Sequence, residues 1–342
     1  MCYRLIRPLF FQLDSERAHY LALNGLNFLS ALRLTRLIPS PPSLPRTVMG
    51  LHFPNPIGLA AGFDKNGDYI DALSDLGFGF IEVGTITPKA QEGNPRPRLF
   101  RLAPAEAIIN RLGFNNKGVD YLVERLRKKH FQGILGVNLG KNRDTPIENA
   151  AEDYIHSFRL VAPYASYITI NISSPNTPAL RNLQHGDLLR DLLRFLKKEQ
   201  AQFFESSKKY LPLVVKIAPD LTAEELKVIA ESLLFEKIDG VIATNTTLSR
   251  DDVKDLAEAK EPGGLSGKPL CALSTEVIRK LHQLLQGQIP IIASGGIVSA
   301  EAAQEKLRAG ASLVQVYSGL IYQGPGWVRQ LGLQLKANSV ST

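Results

Sequence analysis

"SYITINISSPNTPALRNLQ", residues 166–184, joins two kinds of chemistry in one stretch. Its first part, YITINI (167–172), is apolar and β-branched, the composition of a strand buried on both faces. It then runs into Ser173, Ser174, Pro175, Asn176, Thr177 and Pro178, and meets no charge before Arg181. Core packing would not place small hydrogen-bonding side chains and stiffening prolines there. A sheet that binds something at the ends of its strands would.

Seven further runs resemble the first half of that stretch: PIGLAA (56–61), GFIEVG (79–84), GILGVNL (133–139), LVVKIA (213–218), GVIATN (240–245), PIIASG (290–295) and SLVQVY (312–317). Segments with helical periodicity alternate with them, at 66–76, 117–129, 149–162, 186–207, 222–235, 273–286 and 299–308. Strand alternating with helix eight times predicts an α/β protein with a parallel sheet. The count and the spacing fit a closed (β/α)8 TIM barrel over residues 46–336. A doubly wound open sheet is the alternative, and it normally needs fewer strands.

A barrel carries its chemistry at the C-terminal ends of its strands. Those ends read Ala61–Gly62, Gly84–Thr85, Asn138, Asn171, Lys216, Thr244–Asn245, Gly295–Gly296 and Tyr317–Ser318–Gly319. Nearly all offer a polar group or a glycine pair where a core would accept Val or Leu. SGGI and YSGL, with GGLSG (263–267), supply bare backbone N–H groups suited to a phosphate, although glycines also serve ordinary turns. Asn110, Asn138, Asn171, Asn176 and Asn245 present donor and acceptor side by side, the complement of a planar heterocycle. Any one of them alone reads as a turn former. Acidic residues are sparse here, which argues against a two-carboxylate glycosidase or a magnesium site. Lys65 follows the first strand and Lys216 lies within the fifth. A lysine in a buried strand needs a partner: an anionic ligand such as a reduced flavin, a Schiff-base substrate, or a carboxylate such as Glu82.

Composition bounds the rest. The 342 residues are 44% hydrophobic and 21% charged, a globular balance. Cys2 and Cys271 form no paired motif and the six histidines are scattered, so neither a disulfide framework nor a metal site is expected, and a reducing compartment is. The net charge is +7, and residues 1–46 hold six arginines against Asp14 and Glu16. The proline-rich 39–46 marks the boundary of a leader, residues 1–45. Asp14 or Ser15 can cap a helix whose Ala18, Leu21, Ala22, Gly25, Leu26, Leu29 and Leu32 form one oily face. Its uncharged run, 18–32, is too short and too polar to span a bilayer, and no signal-peptide cleavage pattern follows it. The helix either packs on the barrel or lies on a membrane surface.

GLAAGFDKNG, IEVGTITP, GNPRPRLFRL, NRLGFNN, GVNLGKN, NISSPNTPALRNLQ, KIAPDL, GVIATNTT, GGLSGKPL and GASLVQVYSGLIYQGP, together with FQLDSERAH in the leader, resemble the dihydroorotate dehydrogenases, and more closely their quinone-linked class 2 of bacteria and mitochondria. The resemblance runs from about residue 3 to about residue 330. It implies a barrel with FMN at its top that oxidises dihydroorotate to orotate in pyrimidine synthesis. Carried over by motif, the flavin would touch Ala61, Gly62, Lys65, Thr85, Asn138, Asn171, Lys216 and Thr244, with its phosphate on Gly267, Gly296, Tyr317 and Ser318. Dihydroorotate would be held by Lys65, by Asn110, Arg111, Leu112, Gly113 and Phe114, and by Asn171, Asn176, Asn245 and Thr246. The implied base is Ser174, where class 1 enzymes carry cysteine, with Thr177 or a nearby backbone group assisting. The leader would admit ubiquinone or menaquinone from the membrane, with His19, Arg101 and Tyr317 at the polar end of the passage. The resemblance further implies a peripheral protein on the cytoplasmic side of a bacterial inner membrane; a monomer with no nucleic-acid partner is expected.

Three other readings of the residues are a flavin barrel acting on RNA uridines, a barrel aldolase working through Lys216, and a scaffold whose basic leader binds nucleic acid. The first would want a cysteine in the active loop, and Cys271 lies elsewhere in the sequence. The second binds no flavin. The third leaves the polar strand ends unexplained.

Overall fold

The computed structural model describes residues 2–340, without the side chains of Cys2, Arg4, Arg36, Ser339 and Val340. The Cys2 side chain and two of the six leader arginines, Arg4 and Arg36, therefore lie outside the described side chains.

Two helices, α1 (Cys2–Gln12) and α2 (Ser15–Ala31), lead into a hairpin of β1 (Arg46–Val48) and β2 (Leu51–Phe53). The alternation then begins with β3 (Ile57–Leu59), α3 (Ile70–Ser74) and β4 (Phe80–Ile86). An excursion, β5 (Leu99–Leu102) and β6 (Ala107–Asn110), precedes α4 (Val119–Lys128), β7 (Ile134–Leu139), α5 (Ala150–Val161) and β8 (Tyr167–Asn171). There follow α6 (Gly186–Ser207), β9 (Leu213–Ile217), α7 (Ala223–Phe235), β10 (Gly240–Ala243) and β11 (Gly264–Gly267). The chain continues through α8 (Cys271–Leu285), β12 (Ile291–Ser294), α9 (Ala300–Arg308), β13 (Ala311–Val316), α10 (Ser318–Gln323) and α11 (Trp327–Val340).

The strands β3, β4, β7, β8, β9, β10, β12 and β13 close into one parallel barrel in chain order, and they are the eight runs read from the sequence. Every residue of β4, β8, β9 and β10 is buried, which is why these strands read as near-continuous apolar runs, broken only by buried polar residues such as Glu82, Thr169, Asn171 and Lys216. The N-terminal end of the barrel is plugged. Val48 and Phe53 of the hairpin pack against Phe80, Tyr167, Val214, Ile242, Ile292 and Leu313, with Phe53 edge-on to Phe80 at 5.2 Å. A ligand can therefore enter only at the opposite end, where the polar strand ends lie.

Three strands were not foreseen as a unit. β5 and β6 pair antiparallel, and β11 joins β6 across more than 150 residues of sequence, forming a small sheet above the rim. It carries GGLSG and the start of NRLGF to the same place.

The leader docks through several ties. Asp14 caps α2 by accepting from the Arg17 N–H at 2.9 Å, which settles the cap between Asp14 and Ser15. Glu16 meets Arg98 through two bonds, Nε to Oε2 at 3.1 Å and Nη2 to Oε1 at 2.7 Å. Burial alone would raise the Glu16 pKa, but the Arg98 hydrogen bond and charge outweigh it and hold it below the usual value. Ser30 and Thr35 both donate to Asp75, and Tyr3 and Arg7 of α1 donate to the carbonyls of Ile321 and Tyr322.

The single oily face expected for α2 is split in two. Ala18 and Leu23 face inward, whereas Leu21, Leu29 and Leu32 are exposed. They join Leu5, Leu9, Phe28 and Leu37, so that eleven of the twenty exposed large apolar side chains among the described residues fall between positions 5 and 37. Such a concentration is unusual for a water-facing surface. No described helix is long and apolar enough to cross a membrane.

Candidate active site

Above the plugged barrel a cavity is lined by residues from every strand end but that of β7. Its floor is a polar network built on Glu82, a fully buried residue of β4. The Glu82 carboxylate accepts from Asn138 Nδ2 at 2.8 Å, Gln315 Nε2 at 2.8 Å, Tyr167 Oη at 2.9 Å and Thr169 Oγ1 at 3.1 Å. Asn138 passes the order upward. Its Oδ1 accepts from Thr85 Oγ1 at 2.6 Å and from Asn171 Nδ2 at 3.1 Å. Thr85 and Asn171 face the cavity, while Asn138 is completely buried and does not line it. Asn138 thus orients Thr85 and Asn171, which line the cavity.

Lys216 enters this cavity from β9, beside Asn171 in register. Among the described residues its ammonium has neither a hydrogen bond nor an ion pair, so Glu82 is a charge at a distance rather than a partner. Desolvation lowers the Lys216 pKa and the Glu82 charge partly restores it. A buried cation left open towards a cavity calls for an electron-rich or anionic ligand. Lys65 donates to the Gly62 carbonyl at 2.8 Å and lines the same cavity. Desolvation outweighs the attraction of Glu16 and brings the Lys65 pKa down to about 8.

The loop after β8 forms one wall. Ser174 is buried, faces the cavity, and its Oγ accepts from the Asn176 N–H at 3.2 Å. Asn176 Nδ2 reaches Asn110 Oδ1 at 3.1 Å, and Asn245 Nδ2 reaches Ser173 Oγ at 3.0 Å. Arg181 clamps this wall by donating to Ser173 O, Thr246 O and Asp220, at 3.2, 3.0 and 2.8 Å. The uncharged stretch is therefore held by the first charge that follows it. Arg111 does not face the cavity. It pairs with Glu261 at 2.5 Å and lies over the Phe100 ring at 4.5 Å, holding the small sheet together.

At the far end Gly267, Gly295 and Gly296 all have positive φ (95°, 100° and 75°) beside Ser266, Ser318 and Tyr317. A Cβ at Gly296 would lie 2.2 Å from the Cα of Cys271, so only glycine fits. The residues present suit a phosphate-tailed flavin. The glycine turn and serines offer donors to a phosphate, Lys216 and the amides line the space for a ring, and Thr246 Oγ1 and Gln315 Oε1 are buried polar atoms with no partner among the described residues. Gly295 was read as a strand end, whereas Ser266, Ser294 and Gln315 were not singled out, although each lies inside a run or motif quoted above.

A second, largely apolar cavity lies between the leader and the barrel, lined by Phe11, Ala18, His19, Leu23, Phe63, Leu73, Arg101 and Tyr317 among others. Tyr317 belongs to both cavities and stacks edge-on with Phe63 at 5.4 Å. His19 Nε2–H donates to the Phe63 carbonyl at 3.0 Å, and burial depresses its pKa to about 3, so it is neutral. Arg101 donates to Ser15 Oγ and the carbonyls of Phe10 and Leu13, bracing the turn between α1 and α2.

A model of the dihydroorotate dehydrogenase family matches residues 43–338. The chain belongs to this family. It is 56% identical over 338 residues to the dihydroorotate dehydrogenase (quinone) of Haemophilus influenzae, covering 98% of this chain and all of that one. It is 59% identical over 329 residues to the enzyme of the same name from Glaesserella parasuis, covering 96% of this chain and 98% of that one. Among solved structures it resembles Eimeria tenella dihydroorotate dehydrogenase in complex with ferulenol, with a TM-score of 0.86 and 41% identity over 94% of this chain and 92% of that one. The family is one of flavin-dependent oxidoreductases, which leaves the aldolase and scaffold readings without support.

Proposed function

We propose that this protein oxidises dihydroorotate to orotate in pyrimidine biosynthesis, with FMN as its cofactor and a membrane quinone as acceptor. The observation that carries this reading is one cavity that gathers Ser174, Lys65, Lys216, Asn171, Asn245 and a glycine–serine phosphate cradle on a single rim.

FMN would be held by Ala61, Gly62, Thr85, Asn171, Lys216 and Thr244, with its phosphate at Gly267, Gly296, Tyr317 and Ser318 and with Asn138 acting from beneath. Held there, FMN would supply a hydride acceptor for the substrate and a two-electron donor for the quinone. Lys65 holds the substrate carboxylate, and Asn110, Asn176, Asn245 and Thr246 hold its ring amides, while Leu112 and Phe114 exclude water. Ser174 Oγ takes the proton from the carbon beside the substrate carbonyl. A serine hydroxyl is a poor base at neutral pH and needs a dry site and a relay. Thr177, three residues along, buries a hydroxyl with no partner among the described residues, and serves as that relay.

Residues 1–45 serve as membrane contact and quinone passage, and the second cavity leads to Tyr317 at the edge of the first. The exposed leucines of the leader rest on the cytoplasmic face of a bacterial inner membrane. Quinone enters between α1 and α2, past His19 and Arg101.

Orotate binding tests the reading and its electrostatics together. Orotate should perturb the visible band of the bound flavin, because both share one cavity. Lys65 is charged below about pH 8 and loses its charge as pH rises through that value. The carboxylate of orotate stays ionised throughout. The dissociation constant should therefore be flat below pH 8 and climb above it, by up to about tenfold per pH unit where the charge is essential. A Lys65→Met variant should bind weakly at every pH without that inflection. A flavin band indifferent to orotate at all pH values would contradict the proposal.

A further inference from the structure

We propose that Lys306 is a positioning residue for the cofactor phosphate, fixing the Gly295–Gly296 turn from behind and supplying the buried positive charge that the phosphate meets. The proposal rests on the FMN reading above.

Lys306 lies on α9, is completely buried and lines neither cavity. Its ammonium donates to Ser274 Oγ at 2.6 Å, Thr275 Oγ1 at 3.0 Å and the Cys271 carbonyl at 3.3 Å. Three N–H groups thus meet three acceptors, all neutral and all in the first turns of α8. Among the described residues no carboxylate lies within ion-pair distance of it. A fully buried lysine almost always has a counter-ion, because removing a cation from water is costly. Desolvation brings the Lys306 pKa down to about 8, which still leaves it charged at neutral pH.

The acceptors of Lys306 lie against the phosphate cradle. Ser274 Oγ sits 3.0 Å from the Gly295 carbonyl and 2.8 Å from that of Leu270. Cys271, whose carbonyl Lys306 holds, is the residue against which Gly296 packs too closely to allow a Cβ. Gly295, Gly296 and Leu270 line the flavin cavity. One side chain therefore separates the ammonium from the turn. The N-terminal end of α8, positive by its dipole, arrives at the same point. Two positive groups converging beneath a glycine turn repel each other in the empty protein. A phosphate dianion above the turn converts that repulsion into binding. A lysine kept only for packing would have no such use for its charge, since an apolar residue of similar volume would pack at least as well.

The test is flavin exchange. The full-length holoenzyme is equilibrated with graded riboflavin, which lacks the phosphate, and retained FMN is measured. In the unaltered protein a large excess of riboflavin should be needed to displace half the FMN. Lys306→Met should lower that excess by about tenfold, and Lys306→Arg by less, because the charge persists. A purely structural role would weaken both flavins alike and leave the excess unchanged, which would overturn the proposal. If Lys306→Met does not fold, Ser274→Ala serves instead: a selective loss of FMN supports the proposal and an unchanged ratio overturns it. Displacement by equimolar riboflavin in the unaltered protein would refute the FMN reading itself.

Discussion

Replacing Ser174 by alanine is expected to slow reduction of the bound flavin by dihydroorotate by about 10²–10⁴-fold, the usual contribution of a positioned base. The hydroxyl is buried, faces the cavity and, among the described residues, is tied to the loop only by the Asn176 N–H. Its loss should not loosen that loop, because Arg181 holds Ser173 and Thr246 independently. Alanine removes one oxygen and adds nothing. Orotate should therefore bind the variant nearly as well as the unaltered protein, and the flavin should be retained. Rapid-mixing spectrophotometry without oxygen separates these effects, since binding shifts the flavin band and reduction bleaches it. A variant that bleaches at the original rate would remove Ser174 from the mechanism.

The other large effect concerns the second half of the cycle. Ala18 is buried on α2 and lines the apolar cavity together with His19, Phe63 and Tyr317. Ala18→Phe places a ring in that space while α2 keeps its Asp14 cap and its Glu16–Arg98 tie. Reoxidation by a quinone should slow by about tenfold or more, equivalent to roughly 1.4 kcal/mol of lost binding. Bleaching by dihydroorotate should stay within about twofold, because Ala18 does not line the first cavity. Steady-state turnover with quinone would then fall while anaerobic bleaching does not. Equal slowing of both steps would mean that the two cavities are not separate routes.

What could be read from the sequence was local. Each barrel strand announces itself by an apolar run that stops at a polar residue, and α6 begins and ends where its periodicity does, at 186 and 207. The small sheet was hidden because GNPRPRLFRL is laden with proline and arginine, and because β11 finds β6 only through a contact distant in sequence. No helix was read over residues 2–12; α1 forms there with Pro8 inside it, held by the packing of Tyr3 and Arg7 on the chain near residue 320. The α2 stripe was legible as oily but not as two stripes, since composition does not tell a cavity wall from an outward face. The motif pattern names Asn138 and Arg111 as ligand contacts, and it gave no sign of the bonds that tie them to Glu82 and Glu261. Lys306 gave no signal at all. Its role depends on where α9 packs, and a lysine near a helix end ordinarily reads as solvated.

The central claim is that one rim brings dihydroorotate, a flavin and Ser174 within reach of each other. Anaerobic titration of the purified yellow protein with dihydroorotate, with no quinone present, tests it most directly. The colour should bleach, and one orotate should appear for each flavin reduced. Colour that persists through excess dihydroorotate would contradict it.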